Sequence, residues 1–132
     1  TSDIDWSKIK LNGKNIFEIF PNVMFYDYTK NYSKAVNNNI PNYHLTFSYT
    51  GRNEKNCIDV LTKSNNVAVV FETKKNKTLP QTWNGFKVVD GDLTDLRLND
   101  EKGVVVGLRW KLIADKIAEK QILNSKFVVK AV

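Results

Sequence analysis

The chain has 132 residues, with 20 Lys+Arg against 14 Asp+Glu for a formal charge of +6, and is 42% hydrophobic and 11% aromatic. That apolar content excludes a disordered chain, and the length suits one domain around one core. A single cysteine, Cys57, excludes an internal disulfide framework and any Cys-rich zinc or iron–sulfur site built by this chain alone, and no run approaches the ~18 apolar residues of a membrane-spanning helix.

In chain order, Ser2 and Asp3 are candidate N-caps for a loose helical pattern carried by Trp6, Ile9, Ile16, Phe17 and Phe20, interrupted at Asn12-Gly13 and stopped by Pro21. Val23–Tyr28 reads as a strand, and a short helix is expected around Tyr32–Val36. Tyr43–Tyr49 alternates cleanly, with Tyr43, Leu45, Phe47 and Tyr49 on one face and His44, Thr46 and Ser48 on the other. Glu54–Lys63 reads as a helix that buries Cys57, Ile58, Val60 and Leu61. Val67–Phe71 is a continuous apolar run, the mark of a strand buried on both faces of a parallel sheet. A solvated loop at Lys74–Lys77 and a turn at Trp83-Asn84-Gly85 follow. Phe86–Val89 and Val104–Leu108 are strands, Ile113–Leu123 a helix with Ile113, Ile117 and Leu123 on one face, and Phe127–Val129 a final strand.

The order α-β-α-β-α-β-β-β-α-β predicts an α/β fold: one domain over residues 1–132, with a small, mostly parallel or mixed sheet of βα units, in a half-barrel or three-layer arrangement. Ligands in such sheets bind beyond the carboxyl ends of the strands. That rule selects Asp27–Lys30, Thr46–Thr50 and Asp90–Arg97.

The positive charge is made of 17 Lys and three Arg, in a chain with 16 Asn. A lysine- and asparagine-rich composition also arises from an A/T-rich genome, so the surface is a weak attractor of polyanions rather than a dedicated arginine face. Lys30, Tyr32, Lys34, Lys74, Lys75 and Lys77 are the candidate nucleic-acid contacts, lysines for phosphates and an aromatic ring for a base. The competing reading of the Phe25–Lys34 aromatics is core packing, with Tyr32 and the lysines left free. The chain opens on Thr1 with no initiator Met and no signal-peptide pattern, which reads as a cytoplasmic piece of a longer protein.

Asp90-Gly91-Asp92-Leu93-Thr94-Asp95-Leu96-Arg97 is the densest chemical constellation. Three carboxylates about a glycine can supply oxygen ligands to a hard cation, but the spacing is not that of an EF-hand. The structural reading is a capped turn with Arg97 in a bidentate pair with one of the aspartates. No metal is assigned. Thr46 and Ser48 lie toward the ligand-binding end of their strand, without the context of a nucleophile elbow. His44, near the opposite end, is read as a hydrogen-bonded structural residue. No Walker A, G-x-G-x-x-G or HExxH pattern occurs.

The segments FYDYTK (Phe25–Lys30), NYHLTFS (Asn42–Ser48), NVAVVF (Asn66–Phe71), VVDGDLTDLRLND (Val88–Asp100) and GVVVGLRWK (Gly103–Lys111), in that order, resemble the C-terminal half of the phage gene-product-eighty-eight-like family, with similar segments in plasmid and other mobile-element proteins. The resemblance covers Pro21 to Lys111, and DGD-x-x-D-L-R is its most specific part. It implies a Cys-rich first half in fuller members, like a radical-SAM-type iron–sulfur barrel, to which this segment would add later βα units. No residue here matches the cluster ligands, so no cofactor carries over.

Two readings follow. In the first, the chain is a non-catalytic accessory domain of a phage or plasmid protein that contacts nucleic acid through its lysines. In the second, it is a half-barrel, ligand-binding or enzymatic, with Asp90, Asp92, Asp95 and Arg97 at the site, completed by another segment or by a second copy at its open edges.

Overall fold

The computed structural model describes residues 3–74, 76–111 and 116–131. Twelve elements follow in chain order. A 3₁₀ turn (Trp6–Lys8) precedes α1 (Ile16–Ile19), β1 (Phe25–Thr29), α2 (Tyr32–Asn37), β2 (Tyr43–Ser48), α3 (Glu54–Thr62) and β3 (Asn66–Glu72). Then come β4 (Thr82–Trp83), β5 (Phe86–Asp90), β6 (Val105–Arg109), α4 (Lys116–Asn124) and β7 (Val128–Lys130). The sheet runs β1-β2-β3-β6-β5-β4, with β7 added to β3. Every pairing is parallel except the β4–β5 hairpin. The chain is thus α/β with a mixed, mostly parallel sheet, and the sheet is open rather than closed into a barrel.

β3 occupies the centre because its sequence can lie nowhere else. Val67, Val69 and Phe71 are at most 1% exposed and join Phe47, Tyr49, Cys57, Val60, Leu61 and Val105 in the main core beneath α2 and α3. One edge of β3 is shared by two strands. β2 pairs with its first half (Thr46↔Asn66 to Ser48↔Ala68), β7 with its second (Val70↔Val128 to Glu72↔Lys130). β6 takes the other edge from Val67 to Phe71. Burial of this apolar run on both faces, at ~25 cal/mol per Å², is the largest favourable term available to so small a sheet. A second cluster (Phe17, Tyr43, Leu45 with Ile16, Phe25 and Ile40) fills the β1 side, where Phe17 stacks on Tyr43 at 4.4 Å and meets Phe25 edge-on at 5.3 Å.

Two buried asparagines tie irregular chain to the sheet. Asn66 donates to the Glu101 carbonyl at 2.7 Å and accepts from the Val104 N–H at 3.1 Å, anchoring the loop that enters β6. Asn42 places its amide nitrogen 3.0–3.1 Å from the carbonyls of Phe17, Phe20 and Val23. Asn84 (φ 49°) and Gly85 (φ 81°) make the two-residue hairpin turn of β4–β5, the conformation an Asn-Gly pair favours.

Several expectations change. The N-terminal helix is reduced to the 3₁₀ turn and the four residues of α1, because Asn12 and Gly13 adopt positive φ and the chain folds back through a Leu11–Lys14 bridge. β1 lies at the sheet edge, so Tyr26 stays 40% exposed. Ile58 points outward on α3, at 36% exposure, rather than into the core. On α4, Ile117 is 74% and Leu123 36% exposed, and no described residue of that helix is buried. Ser2 and Ile113 lie outside the described residues.

The Asn66 geometry sets a prediction. Asn66→Ala strands a buried N–H and a carbonyl, and is expected to cost about 2 kcal/mol in urea unfolding, whereas Ala at exposed Asn76 is neutral. Equal midpoints for the two variants would contradict the anchoring role.

Candidate functional site at the carboxyl ends of β5 and β6

β5 and β6 run parallel with Asp90 opposite Gly107. Arg109, two residues further along β6, therefore reaches the turn that leaves β5. It places Nη1 and Nη2 2.8 Å from the two oxygens of Asp90, the bidentate geometry a guanidinium favours. Asp92 accepts from Arg109 Nη1 at 3.1 Å and from the Arg109 backbone N–H at 2.9 Å. Arg109 Nε donates to the Lys77 carbonyl at 2.9 Å, so all three guanidinium nitrogens are committed. The Arg109 hydrogen bonds hold the Asp90 carboxyl below its ordinary range, and those to Asp90 and Asp92 raise Arg109 above its own. A groove of about 620 Å³ opens beside the clamp, with Lys77, Leu79, Pro80 and Leu93 in its walls.

Gly91 lies beneath the turn. A Cβ there would come within 2.5 Å of Val106 Cγ1 and 2.9 Å of Arg97 Nη1, so the position has no room for a side chain. Arg97 is 1% exposed. Its Nη2 donates to the carbonyls of Gly91 and Thr94, and Nε lies 3.5 Å from Asp100. This corrects the expected pairing within the motif: Arg97 braces the loop from inside and pairs with Asp100, whereas Arg109, not singled out from the sequence, holds the aspartates. The signal for Arg109 was a basic residue ending one strand and acids ending another; the missing knowledge was that the two strands are neighbours.

The remaining candidates disperse. Asp95 is exposed, in the loop after the clamp. Thr46 is fully buried within the sheet, two strands from β6, and its hydroxyl has no hydrogen-bond partner. Ser48 ends β2, half-buried, where its carbonyl accepts from Asn53. Asp90, Asp92, Asp95, Arg97, Thr46 and Ser48 therefore do not form one ligand set. No group of three or more His, Cys, Asp or Glu suited to a metal occurs among the described residues. His44 lies near Asp100 and Arg97. Burial pushes its imidazole below the ordinary value, with Asp100 opposing and Arg97 adding to the shift. Its Nε2 is buried without a hydrogen-bond partner, so the expected structural bond is not made at that nitrogen. Burial likewise raises Asp100, and drives Cys57, at the α3 interface, up to about 12, which leaves an inert thiol.

Of the basic candidates, Lys30, Lys74 and Lys77 are exposed beyond the ends of β1 and β3. Lys75 lies outside the described residues. Tyr32 is not free: its hydroxyl donates to Asp59, its ring meets Phe47 edge-on at 6.3 Å, and Lys63 sits over it. Lys34 donates to the Ile4 carbonyl at 2.9 Å and lies over the Tyr43 ring.

Together these features define an α/β protein with an open, mostly parallel sheet whose carboxyl end carries an arginine-clamped acidic turn among exposed lysines. The chain belongs to the Gene product 88 family, whose model matches residues 1–130. No curated protein and no solved structure matches. The match corrects the expected extent of Pro21–Lys111 and the reading of this chain as the later half of its family. Ile16 and Phe17, before Pro21, pack against Phe25, Tyr43 and Leu45, and Val128–Lys130, after Lys111, add β7 to the central strand, so both belong to the same fold. No described helix is long and apolar enough to cross a membrane.

The clamp has a pH signature. Because the folded-state pKa of Asp90 is depressed, its stabilisation is present above the ordinary carboxylate value of 3.8 and is lost as pH falls through the lower folded value. Asp90→Asn is expected to lower stability at neutral pH and to flatten the acid limb of the profile below pH ~4. A variant profile parallel to that of the parent would refute the clamp's contribution. Gly91→Ala is expected to cost about 1–3 kcal/mol by overpacking, read from the same unfolding curves.

Proposed function

We propose that this chain is a non-catalytic accessory domain of a phage or plasmid protein that binds nucleic acid with the carboxyl end of its sheet. One observation carries the reading. Parallel pairing sends every long strand toward the same end, and Lys30 (after β1), Arg52 (after β2), Lys74 and Lys77 (after β3), Lys111 (after β6) and Lys130 (end of β7) are all exposed there. None of the six forms an ion pair among the described residues, whereas Lys63 and Lys87 at other positions are paired with Asp59 and Glu101. At the same end, Asp90 and Asp92 share the Arg109 guanidinium, which offsets one of their two charges. With strands ~4.8 Å apart, the span from β1 to β6 is ~14 Å, enough to follow a few consecutive phosphates. The commitment of both aspartates to Arg109 favours this reading over catalysis at the turn.

Anisotropy titrations of labelled single- and double-stranded oligonucleotides test it. About five contacts to a single strand predict that a fourfold rise in salt weakens binding about 100-fold. Charge reversal at Lys30, Lys74 and Lys111 should weaken binding and flatten the salt dependence, while reversal at Lys10 should not. No binding at the lowest salt would overturn the proposal.

A further inference from the structure

Of the fourteen large hydrophobic residues exposed among the described residues, nine lie between Ile4 and Tyr26. Eight lie in the segment that leads into β1, and Tyr26 lies in β1 itself. Asn15 donates to the Ser7 carbonyl and joins the 3₁₀ turn to α1, and the Asn42 amide holds the carbonyls of Phe17, Phe20 and Val23 against the β2 entrance. Within the layer, Trp6 and Tyr26 line an open groove of about 360 Å³ floored by Phe17, Phe25 and Tyr43. Leu11 is 69% exposed, Ile9 55%, Phe20 51% and Met24 50%. Such a share of the exposed apolar side chains in one segment, beside an apolar groove, is what an interaction surface presents, whereas isolated exposed residues are ordinary.

We infer that this layer is a self-association surface, and that its occupant is a second copy of the same chain. Charge supplies the first argument. Residues 1–30 carry four acids (Asp3, Asp5, Glu18, Asp27) and four bases (Lys8, Lys10, Lys14, Lys30), so the whole formal +6 resides in residues 31–132. The rest of the surface repels another copy; this face alone does not, and its mixed signs are self-complementary across a two-fold axis. Area supplies the second. The nine side chains together expose on the order of 800 Å², which is what one partner contributes to a standard two-chain interface.

The contact is made by side chains, not by extending the sheet. Phe25 N–H bonds inward to the Asn42 carbonyl, so by alternation the N–H groups of Tyr26 and Tyr28 face outward along β1. The Asp27 carboxylate takes the Tyr28 N–H at 2.8 Å and sets a charge on the open edge, a device that discourages strand addition. Two copies therefore pack apolar layer on apolar layer.

Sedimentation equilibrium over a concentration series tests the inference on the full chain. The mass should rise from 15.2 kDa toward twice that value, and association should persist at high salt, where nucleic-acid binding is lost. Leu11→Glu and Met24→Glu, at exposed positions that leave the fold intact by circular dichroism, should each weaken the dimer about tenfold. Leu93→Glu, at a still more exposed position toward the β5 end of the sheet path, should leave it unchanged. A chain that stays monomeric at every concentration overturns the inference, whatever else then covers the layer, as does a dimer indifferent to both Leu11→Glu and Met24→Glu.

Discussion

Everything in this fold is arranged around a strand that cannot touch water on any side. Val67–Phe71 offers apolar side chains to both faces, so both faces must be covered, and its backbone must be paired along both edges. The first demand brings α3 down on one face. On the other, the long connection between β5 and β6 folds back and is fastened by Asn66. The second demand recruits β2, β7 and β6, and parallel pairing then follows, because each partner arrives by a connection that has already crossed the sheet. The common direction of the strands is what gathers their ends, and with them the lysines, at one side of the molecule.

The two arginines near the acidic turn show how position decides the role of one residue type. Arg97, within the motif, is buried beside Gly91: its Nη2 donates to backbone carbonyls, its Nε faces Asp100 in an ion pair at 3.5 Å, and neither Nε nor Nη1 makes a hydrogen bond. Arg109, outside the motif, lies at the rim and spends its donors on two carboxylates and the Lys77 carbonyl. A glycine between the aspartates is required by what packs against it rather than by the turn, since Val106 first, then the Arg97 guanidinium and Leu108, occupy the space a Cβ would need. The acidic turn is accordingly a built structural joint, and its carboxylates are held away from any other partner.

The order and type of the elements were largely legible in the sequence, because two signals were strong. The alternation of Tyr43–Tyr49 matches a strand with one face on the core, and the five apolar residues of β3 match a strand covered on both. Where local pattern and tertiary context diverged, the sequence misled. The spacing of Ile117 and Leu123 fits a buried helix face, yet α4 presents those positions outward. The N-terminal apolar spacing suggested a helix, but Asn12 and Gly13 turned the chain instead. β4, two residues long, carries too little pattern to read. The site was less legible than the fold for a topological reason: β5 and β6 become neighbours through strand order, which no spacing along the chain encodes. Tyr32 failed as a free aromatic because Asp59, on the next helix, takes its hydroxyl.

The Asn42 side chain carries one further implication, for dynamics. Its amide has two hydrogens, yet three carbonyls, those of Phe17, Phe20 and Val23, converge on it at nearly equal distances, so at least one proton is shared. The N-terminal layer thus hangs from the sheet by a few polar ties, those of Asn42, of Asp3 to Thr29 and Lys30, and of Lys34 to the Ile4 carbonyl, and by the small Phe17–Tyr43–Leu45 cluster, which is separate from the β3 core. Such a layer forms its own cooperative unit: it opens as a whole and at lower cost than the central strands, so its amides exchange with solvent first and together.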